Sequence, residues 1–186
     1  MNEILKIAVP QAFGLLGMFF LFALYQQTDR KKLLIGKLCA DVCWVLHYVI
    51  LGAYEGAIPN FVGIFREIVF VNSEKKKWAR SVVFPILFIL VNWTLSAFRW
   101  KSGGEAWEVA VRLLPIFAST FVTISLWVKS PRLTKMISVP VSVCFIIYDV
   151  YVGSWIGIVN ESVAIISIAI SFARQHFKQV DAENKA

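Results

Sequence analysis

The chain has 186 residues, 58% of them hydrophobic and 17% charged, against roughly 45–50% and 25% in an ordinary soluble domain. Fifteen phenylalanines, seven tryptophans and a mean hydropathy of +0.67 give more apolar surface than one small core can hide from water. A soluble single domain is excluded, and the bilayer becomes the solvent for most of the chain. The formal net charge of +7 needs no nucleic-acid partner, because an anionic cytoplasmic leaflet attracts it.

A helix needs about 20 mostly apolar residues to cross a hydrocarbon core of roughly 30 Å, and shorter spans are tolerated by thinning. Seven stretches are expected to do so: residues 7–25, 33–51, 57–71, 82–98, 107–128, 136–152 and 155–173. The first follows Asn2, Glu3 and Lys6 and lacks the basic start and small-residue cleavage site of a signal peptide, so it reads as a retained span. The third and sixth are short and carry polar residues, which predicts that they line the bundle interior. Cys39, Cys43 and Cys144 all lie in apolar runs and read as small core residues, not as an oxidised staple.

Seven spans put the termini on opposite sides, and the basic residues test that count. Arg30, Lys31, Lys32, Lys37, Lys75, Lys76, Lys77, Arg80, Lys129, Arg132, Lys135, Arg174, Lys178 and Lys185 fall on one side, whereas Lys6, Arg99 and Lys101 fall on the other. The positive-inside rule then places the N-terminus outside and the C-terminus in the cytoplasm.

Shifting the chain by 101 residues superposes Cys43 on Cys144, Gly52 on Gly153, Gly56 on Gly157, Trp44 on Phe145 and His47 on Tyr148. The turn LGAYEG matches VGSWIG, and the basic loop TDRKK roughly matches SPRLTK. The expected fold class is all-α: a polytopic membrane protein with seven transmembrane helices as two parallel three-helix repeats joined by a linker helix. The repeats would be residues 1–74 and 105–175, with the linker helix and its loops at 75–104 and a cytoplasmic tail at 176–186.

The segments LHYVILGAYEGAIPNFVGIFR (46–66) and IYDVYVGSWIGIVNESVAI (147–165) carry a resemblance to the YgjV-like bacterial inner-membrane proteins, within the PQ-loop and SWEET superfamily. It extends from about residue 11 to residue 174. The resemblance implies a multi-pass protein of the bacterial inner membrane. The wider superfamily implies a transporter that rocks two repeats about a midplane site. The asparagines that SWEET proteins carry in the last helix of each repeat are matched by Asn60 and Asn160, while the 101-residue shift pairs Asn60 with Glu161.

Ionisable residues at membrane depth are costly and point to function once a partner is named. In the cytoplasmic half, Asp41 on the second span and Arg66 beside Glu67 on the third are expected to form an ion pair, either a structural lock or a gate. In the outer half, His47, Tyr48 and Asn60 would face Tyr148, Asp149, Asn160 and Glu161, with Arg112 at similar depth. Trp44 and Phe145 would flank this polar hole as aromatic plates and complete a substrate-binding set for a small polar solute. Cys43 and His47, four residues apart, raise a Cys/His nucleophile pair. No metalloprotease or serine-hydrolase motif accompanies them, so the expectation is a protein that is not an enzyme. No metal-ligand spacing appears, and no cofactor is expected. The readings that remain are a transporter or facilitator of a small polar solute and a non-transporting scaffold, sensor or accessory subunit. Both repeats in one chain can complete a pocket, and a homo-oligomer stays open.

Overall fold

The computed structural model describes residues 3–25, 30–73, 75–98, 105–128 and 131–183. Seven α-helices occur among them: α1 (Glu3–Tyr25), α2 (Arg30–Leu51), α3 (Tyr54–Asn72), α4 (Val83–Phe98), α5 (Ala106–Val128), α6 (Pro131–Val152) and α7 (Trp155–Glu183), with one 3-10 turn at Trp78–Arg80 before α4. No strand occurs among the described residues. Helices suit a bilayer, because each backbone N–H and C=O finds its partner within its own segment.

By length and composition, Leu34–Leu51, Ala106–Val128 and Leu133–Val152 can each cross a membrane, and Ala8–Ala23, Val83–Phe98 and Trp155–Ile170 are shorter apolar helices. α3 is the exception. It carries Glu55, Arg66 and Glu67, and its neighbours bury the latter two to 2% and 0% exposure.

The third and sixth expected spans come out longer than their apolar runs, at 19 and 22 residues. The helices continue through polar ends that hydropathy alone discounts. Neither is wholly interior. α3 exposes Phe61, Phe65 and Ile68, and α6 exposes Val143, Ile147 and Val150, at helical spacing. Each helix is amphipathic with its apolar stripe outward, the inverse of a soluble helix. Leu15, Leu16, Phe19 and Phe22 of α1 and Phe117, Phe121, Ile124 and Val128 of α5 extend this exposed apolar surface, which suits lipid. The three cysteines are free and only half-buried, so they are not core residues.

Consecutive helices pack as hairpins, α1 on α2 on α3 and α5 on α6 on α7; α3 then meets α5, α1 meets α7, and α4 packs against α3 and α5. Two of the turns share one geometry. Gly52 and Gly153 have φ of +74° and +72°. Ala53 N–H returns to Tyr48 O at 2.8 Å, and Ser154 N–H returns to Asp149 O at 2.8 Å. This six-to-one bond with a left-handed glycine satisfies the orphan carbonyls at the end of α2 and of α6, and glycine is there because other residues are strained at that φ.

One buried apolar cluster, Ala40, Trp44, Tyr48, Ala53, Ala57 and Tyr148, ties α2 and α3 to α6 near these turns. A second, Leu34, Val62, Phe70, Phe88 and Leu126, ties α2, α3, α4 and α5 toward the other end.

Candidate functional site

The buried polar residues form two groups, one near the glycine turns and one toward the basic end of α2. At the turn end, α2 presents Trp44, His47 and Tyr48 on one face, and all three are buried. Their rings stack edge to face: Trp44 to His47 at 5.1 Å and 85°, His47 to Tyr48 at 5.0 Å and 70°, and Tyr48 to Tyr148 of α6 at 6.0 Å and 62°. Glycines make room for them. A methyl group at Gly17 would lie 2.9 Å from the Trp44 indole nitrogen, and one at Gly56 would lie 2.7 Å from the Tyr148 ring.

Hydrogen bonds then cross between helices. Tyr48 OH donates to Asp149 Oδ1 of α6 at 2.8 Å. His47 Nδ1 lies 2.7 Å from Pro10 O of α1; a carbonyl only accepts, so Nδ1 carries the hydrogen. His47 Nε2 lies 2.8 Å from Ser154 Oγ. Ser154 immediately precedes α7, and its Oγ accepts from Gly157 N–H at 3.2 Å, an N-cap. Gln11 Oε1 takes Ile156 N–H at 3.3 Å in the same first turn.

α3 is capped differently. Ala53 at its N-cap has no side-chain oxygen, and Gly56 N–H instead donates to Tyr148 OH at 2.9 Å. One helix is thus capped locally and the other by a side chain 92 residues away.

Of the expected substrate residues, the structure brings Trp44, His47, Tyr48, Tyr148 and Asp149 into one buried cluster. Glu161 lies within electrostatic reach of Tyr48 and Asp149, with Ser142 beside it and Asn160 Nδ2 donating to its Oε1 at 2.9 Å. Asn60 is turned to its own helix, donating to Gly56 O at 2.8 Å. Arg112 does not join the cluster. Its Nη2 and Nε donate to Tyr151 OH at 2.9 and 3.2 Å, and the guanidinium sits 5.8 Å from that ring centre. Phe145 is half-buried and enters no ring pair among the described residues.

At the basic end, Asp41 and Arg66 belong to one cluster without pairing directly. Lys37 Nζ pairs with Asp41 Oδ1 at 2.8 Å and reaches Glu67 Oε1 at 4.0 Å. Arg66 Nη2 pairs with Glu67 Oε1 at 3.1 Å. Arg66 Nη1 donates to Thr123 Oγ1 at 2.9 Å and Ser119 Oγ at 3.4 Å, both on α5. The reason is steric. Gly63 leaves the space that the Asp41 carboxylate fills against α3, and Lys37, one turn along the same helix, reaches Asp41 first.

Sequence reading missed Lys37, Ser154, Gln11, Ser119 and Thr123 as members of these networks. Four of them carry signals. Lys37 stands four residues before Asp41, Ser119 and Thr123 stand four apart on one face, and Ser154 follows a helix-ending glycine where an N-cap belongs. The Pro10 carbonyl and Gln11 amide carry none, since their partners come from α2 and α7.

No curated protein and no solved structure matches the chain. A family model described as "bacterial inner membrane protein" does, over residues 8–179. Apolar helices with exposed apolar stripes, and ion pairs buried in the bundle interior, agree with that description. The chain therefore belongs to the Imp-YgjV family of bacterial inner membrane proteins.

Proposed function

We propose that the protein is a transporter or facilitator of a small polar solute, in which two parallel three-helix repeats joined by α4 rock about a central site, with the N-terminus outside and the C-terminus in the cytoplasm. The observation that carries this reading is the bond between Tyr48 and Asp149. These positions are 101 residues apart, the same shift that relates the two glycine turns. When two like units are related by an axis, a contact between equivalent positions falls on that axis, and in repeat-built transporters the site lies at the repeat interface. Both residues are buried, at 3% and 0% exposure, so this arrangement corresponds to a closed centre. Opening requires the Tyr48–Asp149 bond to break. In the same reading Lys37, Asp41, Arg66 and Glu67 form a structural lock at the basic end, because the Lys37–Glu67 pair joins α2 to α3 and the Arg66 hydrogen bonds to Thr123 and Ser119 join α3 to α5.

The test is a thermal-shift screen of the purified protein in detergent against sugars, amino acids, nucleosides and vitamins at two pH values, since a ligand that binds only the native state raises apparent stability. A hit that disappears in Asn60→Ala and Glu161→Ala, with both variants still folded, supports the reading. Wild-type solute binding by both variants overturns the pocket assignment. A second reading, a scaffold, sensor or accessory subunit, is favoured by the close ring packing at the centre and by the turning of Asn60 to its own backbone. A stoichiometric partner that co-purifies, with no solute response across the panel, selects it.

A further inference from the structure

Ser154 has one hydroxyl proton and two neighbours able to take it. His47 Nδ1 must carry a hydrogen to bond the Pro10 carbonyl, so in neutral imidazole Nε2 is a bare acceptor and draws the Ser154 proton. Asp149 is then left short. Tyr48 supplies Oδ1, but Oδ2 is buried without a hydrogen bond. It lies against Gly157, where a methyl group would touch both Oδ2 and Ser154 Oγ, so the orphaned oxygen and the serine hydroxyl face the same spot.

One added proton resolves the shortage. Placed on His47 Nε2, it is donated to Ser154 Oγ, and the serine hydroxyl rotates to donate to Asp149 Oδ2. Ser154 Oγ then accepts from Nε2–H and from Gly157 N–H and donates once, which fills its capacity. Every buried polar atom of the trio is satisfied, and an imidazolium–carboxylate pair replaces a lone buried carboxylate. No bond other than those to hydrogen changes, and the proton comes from bulk water.

We infer that His47, Ser154 and Asp149 form a proton-binding relay spanning α2, the start of α7 and α6, and that proton uptake there is coupled to solute movement. The coupling rests on the transport reading; the proton site does not. The ionisable groups around it are Tyr48 on α2, Tyr148 on α6, Glu161 on α7 and Glu55 of α3 near Tyr148. The nearest bases are committed elsewhere, Lys37 to Asp41 and Arg112 to Tyr151. No resident cation therefore pairs with Asp149 among the described residues.

The full chain has two histidines, His47 and His176. Nitrogen-15 NMR of the histidine-labelled protein in lipid nanodiscs reads both rings, and His176→Gln assigns them. Wild-type His47 should carry its proton on Nδ1 at alkaline pH and become imidazolium on acidification. At the wild-type midpoint, Asp149→Asn should lower the imidazolium fraction about tenfold. In Ser154→Ala, the further change Asp149→Asn should have little effect, because the linking hydroxyl is gone. A wild-type His47 protonated on Nε2 at alkaline pH overturns the relay, as does a titration that ignores Asp149→Asn; the first needs no variant to fold. In proteoliposomes, a pH gradient should drive accumulation of the solute found in the stability screen, and Asp149→Asn should keep only downhill movement. Relay signatures without flux of any solute overturn the transport reading alone. Gradient-independent flux with a His47 blind to Asp149 overturns the relay alone.

Discussion

The two buried polar clusters differ in charge balance. At the basic end, Lys37 and Arg66 face Asp41 and Glu67, so two cations meet two anions, and Ser119 and Thr123 absorb the remaining guanidinium donors. At the turn end, Asp149 takes the Tyr48 hydroxyl and Glu161 the Asn160 amide, and neither forms an ion pair among the described residues. A balanced cluster holds helices together in one arrangement. An unbalanced one has an unmet demand for a proton or a ligand, and that is where chemistry can enter. The difference also follows helix identity: the ion pairs lie on α2 and α3 with α5 as acceptor, whereas the turn-end network ties α1 and α2 to α6 and α7.

The largest effect separating the two should come from Arg66→Ala. It leaves Glu67 buried without its cation, and a loss of about 3–5 kcal/mol is expected, read as a large fall in the denaturation midpoint or in folded yield. Replacing both partners, Arg66→Met with Glu67→Leu, should recover most of it; if the double variant is as unstable as the single, the cluster is more than a balanced lock. Gly157→Ala should come next. Its methyl group meets the Asp149 carboxylate and Ser154 at once, and about 1–3 kcal/mol of overpacking is expected, measurable by thermal melting. Tyr48→Phe should cost a similar or smaller amount, about 1–3 kcal/mol, by removing the hydroxyl that donates to Asp149 Oδ1. In the transport reading it also loosens the closed centre, so it should raise solute flux while lowering stability, a split that Arg66→Ala should not show.

Gly52→Ala and Gly153→Ala should have the smallest effects, about 1–2 kcal/mol each. Nothing crowds either position, and only the left-handed backbone resists a side chain. Near-equal losses in paired melting experiments support equivalent turns in the two halves; a tenfold disparity in the equilibrium constants would separate them.

Much of the fold was legible in the residues. The glycine at 52 and its counterpart at 153, with the aromatic pairs around them, mark two like turns before any coordinates are known. The apolar runs locate all seven helices, because in lipid the hydropathy of a segment decides its place. What was not legible is the pairing of side chains. Asp41 and Arg66 share a depth, which predicts a bond between them. The actual partners are Lys37 and Glu67, because each charge takes the nearest counter-ion its own helix offers. Arg112 reads as a pocket residue by depth alone, yet it spends its donors on Tyr151, 39 residues away. Asn60 and Asn160 likewise occupy matching heights but bond locally.

Sequence by itself determined the solvent of this protein, its helical class and the two glycine turns, because these depend on transfer energy and backbone sterics summed over neighbouring residues. It also marked His47, Tyr48, Tyr148 and Asp149 as polar groups too costly to bury without purpose. Only the tertiary structure decided that Tyr148 caps α3, that the Pro10 carbonyl sets the tautomer of His47, and that Ser154 stands between an imidazole and an orphaned carboxylate oxygen. The hydrogen bonds among them join residues 37 to 107 positions apart. A hydrogen bond depends on angles and tenths of an ångström, which are fixed only when the helices pack.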